Sequence, residues 1–102
     1  MTSGNPTPQQ QQLTIQQALD LAVEHHQAGD LPRAESIYNQ ILQDQPNHAK
    51  TIQLLGVIAH QGWDNEKAVE LIEKSITLRP DDASAHNNLS VVFKQLGQLS
   101  QA

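Results

Sequence analysis

The sequence predicts an all-α protein of antiparallel helix hairpins stacked side by side, and three observations carry the prediction. Apolar residues fall at helical spacing in successive segments. Ile52, Leu55 and Ala59 lie at i, i+3, i+7, and Ala68, Ile72 and Ile76 at i, i+4, i+8, so each segment has one apolar stripe. Short polar turns separate the segments. Residue types also recur at a fixed interval, since Ala34, Ala68 and Ala102 stand 34 residues apart, as do Pro46 and Pro80. Such a period marks a stacked repeat, in which each unit buries its apolar face on its neighbours.

The elements follow in order. Met1 to Gln12, MTSGNPTPQQQQ, is rich in Pro, Gly, Ser, Thr and Gln, so residues 1–13 read as a disordered polar tail. Leu13 or Thr14 opens a first helix with Thr14 as N-cap, and Ala18, Leu21, Ala22 and His25 share one face of it. It ends near Ala28-Gly29. Asp30-Leu31-Pro32 starts the second helix, because proline in a first turn loses no hydrogen bond. Ala34, Ile37, Tyr38, Ile41 and Leu42 form its buried face as far as Gln45-Pro46. Asn47 or His48 opens the third, which runs to about Gln61. Gly62 lets the backbone leave that helix, and Asp64 or Asn65 accepts from the orphan N–H groups of a fourth helix, Asn65 to Arg79. Pro80 cannot extend it. Asp81 or Asp82 caps a fifth helix from Ala83 to Leu96, with Leu89, Val92, Phe93 and Leu96 on its face. Gly97-Gln98-Leu99 reads as a further turn, with a sixth helix just begun at Ala102. In the second unit Gly62 comes one residue early and Trp63 intrudes, so that turn is expected to differ in shape from the other two.

The units are therefore 15–48, 49–82 and a partial 83–102, forming an array over 14–102. Stable, soluble arrays of this kind usually need about three units and a polar cap. The face of Val92, Phe93, Leu96 and Leu99 is accordingly expected to be partly uncovered, and to meet either further chain or a second copy through self-association.

Composition narrows the function. With 102 residues the chain supports one domain at most. One Phe, one Trp and one Tyr leave a core of Leu, Ile, Val and Ala, suited to close helix packing more than to a large ligand cavity. The formal net charge of −5, with six Lys and Arg spread along the chain, offers no basic patch for nucleic acid. The absence of cysteine removes disulfides, thiolate nucleophiles and Cys-type zinc sites, and fits a reducing, cytoplasmic setting. No apolar run approaches the roughly 20 residues that span a bilayer, and the opening residues, lacking a basic and then an apolar stretch, do not read as a secretion signal.

Candidate chemistry is sparse. His25 and His26 are adjacent, hence about 100° apart on a helix, and cannot ligate one ion from one face. His26 and His60 occupy the same place in successive units, but no third ligand joins them, and His86 falls in a packing slot, so neither a metal nor a cofactor is expected. Glu66, Glu70 and Glu73, interleaved with Lys67 and Lys74, read as a solvated helix face. No phosphate-cradling glycine loop, H-E-x-x-H or G-x-S-x-G occurs. This segment is not expected to be an enzyme. Trp63 is the oddity, since turn residues are usually polar and an exposed indole is a favoured interface anchor; the alternative is that it folds back over Ala68 or the first unit.

A 34-residue helix-turn-helix period with small residues at fixed places resembles the tetratricopeptide repeat. With Pro46 and Pro80 at the thirty-second position, the seventh is Leu21, Leu55 and Leu89, the small eighth is Ala22, Gly56 and Ser90, and the twentieth is Ala34, Ala68 and Ala102. The fourth position, often Trp in the family, is Ala18, Ile52 and His86, and the eleventh, often Tyr, is His25, Ala59 and Phe93, where looser packing is expected. The resemblance implies a right-handed α-solenoid acting as a protein-interaction scaffold, with no cofactor and with a concave groove lined by the first helix of each pair. In this chain that groove comprises Gln16, Leu19, Val23, His26 and Gln27, then Lys50, Gln53, Val57, His60 and Gln61, then Ser84, Asn87, Val91, Lys94 and Gln95. Leu19 and Val23 stand where the clamp for acidic chaperone C-termini needs polar groups, which excludes that ligand. The run HNNLS at His86 to Ser90 is similar to repeats that precede the catalytic region of bacterial relatives of protein N-acetylglucosaminyltransferases, and to repeats attached to some sulfotransferases. In those arrays an asparagine at the sixth position faces the bound peptide; Asn88 matches, whereas Asp20 and Leu54 do not. The alternative reading is therefore a non-catalytic front region of a larger glycosyltransferase or sulfotransferase.

Overall fold

The computed structural model describes residues 14–101; the expected tail lies outside the described residues, as does Ala102. Five helices follow one another: α1 Ile15–Gln27, α2 Leu31–Asp44, α3 Ala49–Gln61, α4 Asn65–Leu78 and α5 Ala83–Gln101. Each packs on its neighbours in sequence, α1 with α2, α2 with α3, α3 with α4 and α4 with α5. The fold is a solenoid of stacked hairpins, as the periodicity predicts.

Every helix starts on a side chain that accepts from the orphan N–H groups of its first turn. Thr14 and Gln17 form a reciprocal capping box, both bonds at 3.0 Å. Asp30 accepts from the Arg33 N–H, His48 Nδ1 from that of Thr51, Asp64 from that of Lys67, and Asp82 from those of Ser84 and Ala85. α2 and α4 end alike, at Gln45 and Arg79, each followed by proline.

Two turns differ from expectation. The α1–α2 and α3–α4 turns have the same hydrogen bonds shifted by one unit: Gly29 N–H to His26 O and Asp30 N–H to His25 O, then Trp63 N–H to His60 O and Asp64 N–H to Ala59 O. The turn shape is thus preserved, and Trp63 takes the left-handed position, φ 66°, that Gly29 takes at φ 85°. A residue with a Cβ in that region carries about 1–2 kcal/mol of strain that glycine does not. The third turn does not form. α5 runs straight through Gly97 to Gln101; Gln98 stands where Asp30 and Asp64 supply a cap, so the local signal for a break is weaker than in the other two turns. Continuing the helix keeps its backbone groups bonded at the modest cost of one glycine, about 1 kcal/mol.

The core lies in two clusters. Leu19, Ala22, Ala34, Tyr38, Ile41, Leu55 and Ile58 join the first unit to α3, and Ala68, Ile72, Ala85 and Val92 join α4 to α5. Leu55 is buried because α1 and α2 cover it, whereas Leu21, at the same place in the first unit, is 38% exposed with no preceding unit over it among the described residues. Gly56 lets α3 and α4 approach closely, since a Cβ there would stand 2.6 Å from Ile72 Cγ1 and 3.3 Å from the Ala68 carbonyl. On α5, Val92 is buried against α4, correcting the expectation that it lies on an open face; Phe93 is exposed and Leu96 half-buried. His86 is exposed as well, and fills no packing slot. Its Nε2–H donates to the Pro80 carbonyl at 2.7 Å, tying the start of α5 to the turn before it.

Candidate partner-binding face

The candidate face is built from α1, α3 and α5, the first helices of the three units. Side chains from equivalent places meet across it. Lys50 Nζ donates to Ser84 Oγ at 3.1 Å, linking second positions one unit apart, and to Gln53 Oε1 at 3.3 Å. Gln53 Nε2 donates to Ser84 Oγ at 2.9 Å, and the Ser84 hydroxyl donates to Asp82 at 3.0 Å. Burial acts to raise the Asp82 carboxyl. The Ser84 hydroxyl, the Lys50 charge and the backbone N–H groups of Ala85 and Ser84 together outweigh it and hold Asp82 below its ordinary value.

At the other end, His26 joins the units. The Gln61 amide oxygen can only accept, so His26 Nε2–H donates to it at 2.7 Å, which leaves Nδ1 to accept the Tyr38 hydroxyl at 3.2 Å. The His26 and Tyr38 rings meet edge to face, with centroids 6.1 Å apart. His60 does not repeat this arrangement; its Nδ1–H donates to Asn65 Oδ1 at 3.1 Å. Gln95, one unit beyond Gln61, has a buried Oε1 with no hydrogen-bond partner among the described residues.

Burial pushes the Tyr38 hydroxyl up to about 12 from its ordinary value near 10. Because the folded value is the higher one, this contribution to stability is complete below about pH 10 and is lost as pH rises through 12. Tyr38 is the single tyrosine. Tyrosinate absorbance should therefore titrate in one step near pH 12 in the folded chain and near 10 in denaturant. A folded-state midpoint at 10 would show that the hydroxyl is not desolvated.

The expected groove residues divide. Leu19 is buried in the core and Gln53 is 1% exposed, because the following unit's first helix covers this place; Asn87, at the same place in the third unit, is exposed. Those two positions serve contact between units, which helical spacing along one segment does not distinguish from an open groove. Val23 and Val57 are half-buried and Val91 is 46% exposed. Gln16, Gln27, Gln61, Ser84 and Lys94 are exposed, while His26, Lys50, His60, Asn88 and Gln95 are partly covered. Among the described residues no three His, Cys, Asp or Glu side chains come together as metal ligands, and no helix is long and apolar enough to cross a membrane.

Comparison with known proteins agrees with this geometry. Residues 49–82, comprising α3, α4 and the turns that bound them, match the family model described as the tetratricopeptide repeat. Over 89 residues, 87% of this chain, the sequence is 32% identical to UDP-N-acetylglucosamine-peptide N-acetylglucosaminyltransferase of Caenorhabditis elegans. The chain spans only 8% of that relative's length. The chain thus carries a tetratricopeptide repeat at residues 49–82, and the first unit repeats its turn hydrogen bonds and capping at the same interval.

Proposed function

We propose that this chain is a non-catalytic protein-interaction module that holds an extended or helical partner segment along α1, α3 and α5. The observation that supports the reading most directly is the valine series, Val23, Val57 and Val91, repeating one unit apart beside polar side chains. Such a row gives apolar contact at a regular step, with Gln27, Lys50, Asn87, Lys94 and Asn88 as polar contacts near it. The hydrogen bonds between units support rigidity. They fix the angle between neighbouring helices before a partner arrives, so less ordering is required on binding.

The test uses peptides selected by display against the folded chain. Val57→Asp together with Asn87→Ala should weaken the selected peptide at least about tenfold, equivalent to about 1.4 kcal/mol. Unchanged affinity in a variant with an intact helical spectrum would refute the groove.

The likeness to an N-acetylglucosaminyltransferase favours a second reading, in which this array is the repeat region of a larger glycosyltransferase and presents polypeptide to a catalytic region elsewhere. Asn88 would then contact the peptide backbone. Asn88→Ala would reduce binding of an acceptor peptide and leave donor-nucleotide binding untouched.

A further inference from the structure

We propose a second docking surface, between α2 and α4 rather than along α1, α3 and α5, that takes an apolar segment carrying arginine or lysine and uses Trp63 as its anchor. Three observations converge on it. Trp63 is 65% exposed and holds a left-handed backbone that glycine holds without strain at the equivalent turn. Backbone strain of this kind, held in place by the surrounding turn, clusters at binding sites. Next to it lies a hollow of about 410 Å³ formed by α2, α3 and α4, and Trp63 stands between two residues that line it, Gly62 and Asp64. The floor of the hollow includes Leu42, Ile58 and Leu71; its edge carries the carboxylates of Glu35 and Asp64 and one ammonium, Lys67.

The chemistry of that edge selects the occupant. An aliphatic side chain fills the floor, a cation beside it meets the carboxylates of Glu35 and Asp64, and the exposed indole in the adjoining turn offers a further group that attracts guanidinium and ammonium. The chain's net charge of −5 draws a basic segment and opposes a second copy of the chain on this surface. The surface is independent of the valine row, so either reading can fail without the other.

The probe is a short labelled alanine-based peptide with two leucines and two arginines on one helical face, compared by fluorescence anisotropy with a twin carrying glutamates for the arginines. The arginine peptide should bind at least about tenfold tighter than its twin. Trp63→Gly should lose at least about tenfold in affinity while its melting midpoint rises by about 4–8 °C, because strain is relieved. The double variant Glu35→Gln, Asp64→Asn keeps an N-cap at position 64 and should weaken the arginine peptide severalfold. Equal binding by Trp63→Gly, equal binding of the two peptides, or no binding of the arginine peptide up to millimolar concentration would each overturn the assignment. Should Trp63→Gly melt lower, the double variant decides: unchanged binding there overturns the proposal.

Discussion

Gly56→Leu is expected to remove a large part of the chain's stability. A Cβ at this position already stands 2.6 Å from Ile72 Cγ1, and Leu71 Cβ lies 3.3 Å away, so a branched side chain must push α4 off α3. Ile72 is fully buried and joins α4 to α5, so the displacement reaches both neighbours of α4. Overpacking of this kind costs about 3 kcal/mol or more, against a total stability of about 5–10 kcal/mol for a domain of this size. Gly56→Ala is the informative partner. Alanine gains about 1 kcal/mol of helix propensity, but its Cβ is the atom that meets Ile72 Cγ1 at 2.6 Å, near the root of a buried side chain, so it should still cost about 1–2 kcal/mol net, less than leucine. Alanine occupies this place in the first unit, as Ala22, where Tyr38 stands in place of the β-branched Ile72. Thermal melts followed by circular dichroism test both, and a leucine variant that melts with the parent would disprove the close approach.

Tyr38→Ala carries the second large effect, a loss of about 3–5 kcal/mol. Tyr38 is fully buried in the cluster that unites α1, α2 and α3, and its hydroxyl is the donor that completes the bonding of His26. Tyr38→Phe keeps the ring and removes only the hydroxyl. It should cost about 1 kcal/mol, since the hydrogen bond is modest in net terms and phenylalanine brings no buried polar atom of its own. Urea unfolding of the pair separates the two contributions. Equal losses would mean that the hydroxyl, and not the packed ring, holds the first two units together.

Much of this fold is legible in the residues themselves. Asp30 and Asp64 before helices, Pro46 and Pro80 after them, and alanines one unit apart give the hairpins and their pairing without any coordinates. The places where the reading and the molecule part follow one physical distinction. A local signal describes what a residue permits, while the outcome depends on what surrounds it. Gly97 permits a turn, yet Gln98 supplies no cap, and the helix continues. Trp63 disfavours a left-handed turn, yet the hydrogen bonds from Trp63 and Asp64, together with the cap on α4, hold it there. Leu19 and Gln53 share a helix face with groove residues, yet the next unit covers them. The candidate binding face was visible as a valine series; which of its neighbours remain open was not, because that depends on contacts between units about 34 residues apart.

The neighbour-to-neighbour packing of the helices also shapes how the chain reaches this structure. Most contact surfaces join helices adjacent in the chain, and the longer-range contacts reach only about one unit further, so the loops that must close are short and the search is fast. The α3–α4 hairpin, with the most extensive contact and a partner on each side, is the natural nucleus. Order then spreads outward in both directions, and the outer helices α1 and α5, each packed mainly from one side, are the last to settle and the first to fray.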